Sequence, residues 1–505
     1  EVAWRLERAL VPQTRGRRTV RLGPRSEGDA AALLERVEPD LAIVNADPTS
    51  EADRWVLEAV EARGREVFRS PSEPRWAFGM GYQSRKRSAL GVGLFAERPG
   101  PALVVYDLRA PDDDRAARER AALEALGYAA EGARVEGEEA GIVQRDPSRM
   151  AAGFDLILSA HAPEAVVLDP RGRAVHRWTL DFPSIWPERD YSPKDTRFNS
   201  WRRVRPLDDG RLLAIFEGLG LVCLERDSSL AWSYEARAHH DLDLLDDGTI
   251  LCLARAVREV PDLHPSIAIL DDQVVTLDSE GRVRTSVSLL DAIDASPFAA
   301  ELRAEIRGAL ERSDRQGRTD LLAGDVFHTN TLTVLDSRNA SALPGARPGD
   351  LLLCVRNLNR VVALDLAAAT LTACVRGPWK RPHEATALPS GRILIFDNQG
   401  GAGGRSRVFE YDARSGERGW AYGDRPGESL ASRVLGSVQR LANGNTLITD
   451  SNRGRALEVT DDGELVWEYV NPHRAPGAEE RVARLFEALR LPQQAFGAWL
   501  ESSER

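Results

Sequence analysis

Lysine and long apolar runs are scarce in this 505-residue sequence. Its lysines are Lys86, Lys194 and Lys380, and the net charge is −11. We therefore expect no nucleic-acid partner and no anionic membrane partner, because no overall positive field would attract them. No apolar run reaches the roughly 18 residues that a membrane helix needs, and no signal-peptide pattern opens the chain. The sequence excludes neither a removed signal peptide nor a removed anchor.

Cysteines are also few, and their spacing excludes the familiar zinc patterns. Cys223, Cys252, Cys354 and Cys374 form no C-x-x-C pair. They can be small buried hydrophobic side chains. An even number also permits disulfides in an oxidising compartment, with three possible pairings among which the sequence does not choose.

Residues 1–140 combine two patterns of apolar residues, one typical of helices and one typical of strands. The stretches EADRWVLEAVEARG and DRAARERAALEALG carry apolar residues at helical spacing, whereas LAIVN and PALVVYDL are short apolar runs bounded by turn residues. This mixture predicts a small α+β domain over residues 1–140. Beyond it, short strands separated by glycine and aspartate turns dominate.

Two kinds of hairpin alternate along the rest of the chain. The first kind reads LDDGRLLAIF, LDDGTILCLA, LPSGRILIFD and LANGNTLITD, and the second includes VLDPRGRAVHRW, LDSEGRVRTSV and TDDGELVWEY. A unit with one hairpin of each kind has four strands and recurs about every 40 to 50 residues, which is the dimension of a propeller blade. We therefore predict a mainly β protein with a six-bladed β-propeller over residues 141–474. A two-sheet sandwich is the alternative.

Two further segments have helical spacing. The stretch LLDAIDASPFAAELRAEIRGALERSD predicts a helical insertion between blade strands. The stretch AEERVARLFEALRLPQQAFGAWLES predicts a C-terminal helical segment over residues 475–505, which packs on its own chain or joins subunits. The oligomeric state is unknown from the sequence.

Histidines recur at one position of the first hairpin. His383 lies eight residues before the turn glycine Gly391, and His240 lies eight residues before Gly248. We call this position the axial position. His328 begins an equivalent strand and is assigned to the same position, although a long loop replaces the short turn. Because the first strand of each blade runs beside the central channel, we expect His240, His328 and His383 to face one another.

Three facing imidazoles have two chemical interpretations. They can bind a transition metal with an open position, or they can surround an anion while one of them acts as a nucleophile. The side chains of Asn330 and His328 point to the same face of the strand. Arg356 contributes a guanidinium that is always positively charged. A guanidinium weakens a cation site but holds a tetrahedral oxyanion. The set therefore favours sulfate or phosphate and predicts no metal site.

Several motifs resemble one enzyme family. The segments similar to it are HHDLDLLDDGTIL, FHTNTL, VRNLN, HEATALPSGRILIFDN and SVQRLANGNTLITDSNRGRALEVTDDGELVWEYVNP. The family is that of the arylsulfotransferases that use aryl sulfates and are independent of the nucleotide donor PAPS. The resemblance covers about residues 141–490. It implies a six-bladed propeller that needs no cofactor. It also implies transfer of a sulfuryl group from a phenolic sulfate ester to a phenolic acceptor through a covalent sulfohistidine, with ping-pong kinetics, in a periplasmic or secreted protein.

The resemblance also implies roles for single residues. The nucleophilic histidine of the family matches His383, and a further catalytic histidine matches His240. His239 is an alternative to His240, although neighbours on a strand face opposite ways. The substrate-binding positions match His328, Asn330 and Arg356. The sequence departs from the family pattern at Pro382, where a glutamine often precedes the nucleophile.

The N-terminal part carries a fainter resemblance. The stretch VVYDLRAPDDDRAARERAALEALGYA is similar to the closing segment of sulfatases, but no C-x-P-x-R or S-x-P-x-R motif occurs in the sequence. The resemblance implies a catalytically silent domain, and an unrelated α+β cap is the alternative.

The sequence leaves two other function classes open. One is a β-propeller binding module that keeps the fold without the chemistry. The other is a metal-dependent hydrolase or lyase that uses the three histidines.

Overall fold

The computed structural model describes residues 130–135, 139–189, 191, 195–317 and 322–493, together with the backbone of five short strands before residue 106. The chain divides into two compact units. The first comprises residues 1–121, 259–268 and 317–320, and the second comprises the remainder. The helices predicted in EADRWVLEAVEARG and DRAARERAALEALG lie outside the described residues.

Five short strands of the first unit form a mixed sheet. Its strands are β1 Thr19–Leu22, β2 Leu41–Val44, β3 Phe68–Arg69, β4 Val92–Gly93 and β5 Ala102–Val105. Strands β1, β2 and β5 run parallel, while β4 pairs antiparallel with β5 and with β3. Two of these strands, β2 and β5, coincide with the predicted apolar runs LAIVN and PALVVYDL.

The second unit consists mainly of antiparallel sheets that form the blades of a propeller. Before blade 1 the chain forms β6 Glu131–Arg134 and β7 Gly141–Arg145. Blade 1 contains β8 Phe154–Ser159, β9 Glu164–Leu168 and β10 Ala174–Thr179. Blade 2 contains β11 Arg203–Pro206, β12 Leu212–Phe216, β13 Gly220–Leu224 and β14 Leu230–Glu235. Blade 3 contains β15 Ala238–Leu244, β16 Ile250–Arg258, β17 Ile269–Leu277 and β18 Val283–Ser288.

The later blades follow the same order. Blade 4 contains β19 Thr329–Val334, β20 Leu351–Val355, β21 Arg360–Asp365 and β22 Thr370–Val375. Blade 5 contains β23 Pro382–Ala387, β24 Ile393–Asp397, β25 Arg407–Tyr411 and β26 Arg418–Tyr422. Blade 6 contains β27 Ser437–Arg440, β28 Thr446–Asp450, β29 Arg455–Val459 and β30 Leu465–Val470. The last strands are β31 Arg474–Ala475, β32 Ala478–Ala483 and β33 Leu485–Leu491.

Helices are few in the described part of the chain. The α-helices are α1 Phe182–Ile185, α2 Thr196–Asn199, α3 Leu289–Asp294 and α4 Ala299–Arg315, and the 3₁₀ helices are Ala340–Ala342, Arg356–Leu358, Ala402–Gly404 and Ser451–Arg453. The helical insertion predicted between blade strands is confirmed by α3 and α4. One face of α4 buries Leu302, Ile306 and Leu310, which are spaced by four residues. None of the described helices is both long enough and apolar enough to cross a bilayer.

Glycine turns set the register of the first hairpin in most blades. The backbone φ is positive at the turn glycines Gly210, Gly248, Gly391 and Gly444, where a side chain would cause strain. In each turn the glycine N–H donates to the carbonyl of the leucine that begins the repeat motif, at 2.9–3.0 Å. The LDDG, LPSG and LANG motifs therefore encode one turn geometry that repeats around the ring.

The first strand of each blade contacts the first strand of the next. Contacts join β11 to β15, β15 to β19, β19 to β23, and β23 to β27. Apolar side chains fill the space between neighbouring sheets, for example Leu213, Cys223 and Cys252 between blades 2 and 3. Across the described residues this gives six sheets around a common axis, and the six-bladed propeller prediction is confirmed. All four cysteines are free thiols.

The ring is closed at two places by strands that are distant in sequence. Strand β33 pairs with β8 and becomes the inner strand of blade 1, while β7 pairs with β30 and becomes the outer strand of blade 6. The predicted C-terminal helical segment is therefore wrong for residues 478–491, which form β32 and β33. Because β33 is buried on both faces, its sequence lacks the alternation of a half-exposed strand and imitates helical spacing.

Candidate active site

The three histidines predicted to converge lie close together in the second unit. His240 is in β15, His328 directly precedes β19, and His383 is in β23. The ring centroid of His240 is 4.7 Å from that of His328 and 6.0 Å from that of His383. None of the three is more than 4% exposed. The imidazoles therefore face one another inside the ring of inner strands.

Strand register changes the alignment of blade 4. In each of these blades, the first two strands end in a last paired position next to the turn. The residue of the first strand that lies four positions before it is Arg202 in blade 2, His240 in blade 3, Asn330 in blade 4 and His383 in blade 5. The assignment of His328 to the axial position is therefore wrong. Asn330 occupies it, and His328 reaches the same place from two residues earlier. The long loop between β19 and β20 separates Leu335 from its turn glycine Gly349, so the spacing of eight residues is lost in this blade.

Backbone irregularities set the directions of the three histidine side chains. Pairing is interrupted between Ala238 and Leu242 in β15, and around His383 in β23. The φ angles of His240 and His328 are 54° and 52°, in the left-handed region. A non-glycine residue in the left-handed region costs on the order of 1–3 kcal/mol and persists where surrounding contacts hold it. The alternation expected of a regular strand is lost at this point.

His240 has carboxylate and imidazole partners. Its Nδ1 lies 3.2 Å from Glu217 Oε1 and 3.1 Å from His239 Nδ1. Nε2 of His239 lies 3.3 Å from Asp272, which leaves His239 Nδ1 to accept. The proton of neutral His240 is therefore assigned to Nδ1 and its lone pair to Nε2. Burial first, and then the charge of Arg202, keep the pKa of His240 well below its ordinary value.

His239 does not point away from the site as a regular strand requires. Its buried ring makes an edge contact with His240 at a centroid distance of 5.3 Å and connects that residue to Asp272. His240 is therefore the residue that contacts the other two histidines, whereas His239 lies between His240 and Asp272.

His328 is also paired with a carboxylate. Its Nδ1 lies 2.5 Å from Asp325 Oδ2, and Arg255 Nη2 lies 3.4 Å from the same nitrogen. Burial lowers the pKa of His328 to about 4, even though Asp325 opposes that shift. His328 is therefore a neutral donor or acceptor at ordinary pH, with an orientation fixed by Asp325.

Asn330 and Arg356 complete the predicted anion site. Asn330 is buried, and its amide N–H donates to the Pro382 carbonyl at 3.3 Å, directly beside His383. Its amide oxygen has no hydrogen-bond partner among the described residues. Arg356 is 5% exposed at the end of β20, and its charge lowers the pKa values of both His328 and His383.

Sequence reasoning missed Arg202. Its Nη2 lies 2.9 Å from Nε2 of His383, and its guanidinium is 4% exposed. The signal was available, because Arg202 lies eight residues before the turn glycine Gly210 and so occupies the axial position of blade 2. Only histidines were sought at that position.

A second missed group lies one residue further along the same strands. Arg203 lies 3.0 Å from Asp241 and 3.2 Å from Glu384, and it also contacts Glu487 of β33. Its Nε donates to the His240 carbonyl at 3.3 Å. One guanidinium thus joins carboxylates of blades 1, 3 and 5. Burial and the neighbouring carboxylates raise the pKa of Glu384 to about 8 despite the Arg203 charge.

Among the residues that the structure describes, two clusters have ligand atoms close enough to approach one metal ion. In the first, atoms of Glu217, His239 and His240 lie within 4.8 Å of one another. The charges of Arg202 and Arg255 act on this cluster, which disfavours a cation there.

The second cluster contains His161, Glu164 and His473 and lies outside the site. The two imidazoles are stacked with their centroids 3.5 Å apart at 4°. Their in-plane lone pairs therefore lie in two separate parallel planes and cannot both point directly at one ion.

Comparison with known proteins gives fold-level similarities among solved structures. No curated protein matches. A protein of unknown function from Bacteroides caccae has a TM-score of 0.41 and 12% identity, covering 63% of this chain and 94% of its own. A streptogramin B lyase has a TM-score of 0.38 and 12% identity, covering 67% and 86%. At these TM-scores neither similarity bears on the chemistry.

A family match covers the part of the chain that builds the site. The model of the family described as arylsulfotransferase (ASST) matches residues 203–472, more than half of the 505 residues. That span includes the three converging histidines together with Asn330 and Arg356. The chain therefore belongs to the arylsulfotransferase family.

Proposed function

We propose that this chain transfers a sulfuryl group from a phenolic sulfate ester to a phenol through a covalent sulfohistidine at His383. The observation that carries the proposal is the state of His383, a buried imidazole whose Nε2 accepts a hydrogen bond from Arg202. Because a guanidinium can only donate, Nε2 holds a lone pair and Nδ1 holds the proton. Buried cationic donors beside a nucleophilic nitrogen suit an anionic electrophile.

In the first displacement, Nε2 of His383 attacks the sulfur of the donor. The N–S bond forms, the bond between sulfur and the phenolic oxygen breaks, and a phenolate departs. The sulfonated ring keeps its proton on Nδ1. Negative charge develops on the sulfuryl oxygens, where Arg356 and the Asn330 amide can hold it.

In the second displacement, an acceptor phenol attacks the same sulfur and the N–S bond breaks. His240 Nε2 accepts the phenolic proton, and Glu217 beside Nδ1 stabilises the imidazolium that results. The imidazolium then releases this proton to solvent, and the phenolate that departed in the first displacement takes up a proton from solvent. Protons and sulfuryl groups balance over one cycle.

The proposal is tested by mixing excess 4-nitrophenyl sulfate with protein and EDTA in the absence of acceptor. We expect a burst of nitrophenol equal to the enzyme concentration, and its loss in His383→Asn. Addition of phenol should then give continuous release with parallel double-reciprocal plots. Intersecting plots, or a full burst in His383→Asn, would contradict the covalent mechanism. Release that requires added metal would favour the hydrolase alternative.

The location is a separate proposal. The family resemblance supports a periplasmic or secreted protein, and fractionation of source cells with an antibody against this chain tests it. Recovery with cytoplasmic markers would contradict it.

A further inference from the structure

Arg202 is fixed at its backbone and positioned at the atom that the proposed reaction uses. Its backbone N–H donates to the Ile215 carbonyl at 2.7 Å, which extends the β11–β12 ladder by one residue. From there the side chain reaches His383 in blade 5, across the axis, with Nη2 at 2.9 Å from Nε2. The carbon of the guanidinium lies 5.4 Å from the ring centre of Phe486 in β33.

This contact occupies the position that a donor sulfur must take. A nucleophile and the atom that it attacks approach to about 3–3.5 Å before reaction. Arg202 Nη2 is already within that distance of Nε2 and lies along its lone pair. The sulfuryl group and the guanidinium cannot both occupy the position next to Nε2.

Space and an anionic partner lie beside the Arg202 side chain. Arg202 lines a small cavity, and its Nε is 4.0 Å from Glu217 Oε2. The remaining lining residues are Thr196, Arg197, Ser200 and Phe486. A short movement of the Arg202 side chain toward this cavity would uncover Nε2 while keeping the guanidinium near the sulfuryl oxygens.

We propose that Arg202 is a catalytic residue that covers Nε2 of His383 in the ligand-free protein and moves onto the sulfuryl oxygens when a sulfate ester binds. The inference rests on the proposed function and adds to it a residue from the axial position of blade 2. In the transition state Arg202 and Arg356 would then hold the sulfuryl group from blades 2 and 4.

The charge of Arg202 also controls the protonation of the nucleophile. Burial lowers the pKa of His383 well below its ordinary value, and the charges of Arg202, Arg203 and Arg356 add to that effect. The imidazoles of His240 and His328 also face His383. Removal of the Arg202 charge should therefore raise the pKa of His383, and the acid limit of the burst rate should move to higher pH.

The test compares burst kinetics of Arg202→Gln and Arg202→Lys with the native protein, using 4-nitrophenyl sulfate without acceptor. Arg202→Gln should slow the burst by about 10²-fold or more and move its acid limit upward. Arg202→Lys should slow the burst while leaving the acid limit near the native pH, because it keeps charge and loses the fork of donors. Arg205→Gln, an exposed arginine on the same strand, should leave both quantities unchanged.

The outcomes separate the two proposals. A native protein without a burst would contradict the proposed function itself. A native burst together with a burst in Arg202→Gln of near-native rate and unchanged acid limit would overturn only the role of Arg202.

A measurement on the native protein keeps the test valid if the variants fail to fold. Nitrogen-15 spectra of labelled histidine, assigned with His383→Asn, should show the Nδ1–H tautomer of His383. Inorganic sulfate should then shift its Nε2 resonance as Arg202 leaves. An Nε2–H tautomer, or an Nε2 resonance unmoved by saturating sulfate, would overturn the proposal.

Discussion

Glu217 holds His240 at two points. One carboxylate oxygen lies 3.2 Å from Nδ1 of the ring, and the other accepts a hydrogen bond of 3.0 Å from the His240 backbone N–H. A single side chain of blade 2 thus secures both the left-handed backbone and the imidazole orientation of a blade 3 residue. This gives Glu217 a positioning role in the proposed second displacement.

Replacement of Glu217 by glutamine should slow that displacement selectively. The amide keeps the size of the side chain but removes the charge that stabilises imidazolium, so we expect transfer to phenol to fall by about 10²-fold. The amplitude of the nitrophenol burst should be retained. Rapid mixing of sulfonated protein with phenol measures the step. The same change at exposed Glu225 is the control, and equal losses in both half-reactions would contradict the assignment.

Arg356→Lys should keep a positive charge at the anion site but lose the planar pair of donors. We expect kcat/KM for 4-nitrophenyl sulfate to fall on the order of 10²-fold. Steady-state kinetics measure the change, with Arg376→Lys, an exposed arginine two strands further on, as the control. Turnover within a few-fold of native in Arg356→Lys would remove Arg356 from the site.

The repeat pattern made much of this architecture predictable. Turn glycines such as Gly248 and Gly391 mark hairpins whose geometry is local, so blade number and the convergence of His240 with His383 followed from spacing alone. What was missed depends on contacts between distant parts of the chain. The sequence of β33 carries no sign that it pairs with β8, because a strand buried on both faces loses its alternation.

The site residues that were missed have similar causes. Arg202 stood at the axial position, but its chemistry is visible only when blade 5 places His383 against it. The carboxylate partners Glu217 and Asp325 belong to no repeated motif, and the left-handed φ of His328 allowed it to reach the site from an unexpected register.

Glu384→Gln should make stability less dependent on pH. Glu384 has a raised pKa of about 8 against an ordinary 4.5, so the folded chain binds more protons than the unfolded chain between these values. Its contribution to stability is therefore complete below pH 4.5 and is lost as pH rises toward 8. Denaturant unfolding at pH 5, 6.5 and 8 should show a flatter profile for Glu384→Gln than for exposed Glu417→Gln. Identical profiles would contradict the raised pKa.

Arg490→Met should strongly destabilise the ring closure. Arg490 of β33 is buried and lies 2.7 Å from Asp155 in blade 1 and 2.9 Å from Glu458 in blade 6. Removal leaves two buried carboxylates without their cation, at a cost of about 3–5 kcal/mol. The loss should be smaller at acid pH, where the carboxylates can take up protons. Urea unfolding measures it, and exposed Arg173→Met should change stability by about 1 kcal/mol or less. A similar small change in Arg490→Met would contradict its role.

The pairing of β33 with β8 has a consequence for biosynthesis. Residues 154–179 emerge from the ribosome more than three hundred residues before their inner strand is made, so the edge of blade 1 stays unpaired while those residues are translated. Contacts of such long sequence separation form slowly. We therefore expect a nascent chain to depend on protection of that edge, and the proposed activity to begin only after β33 has left the ribosome.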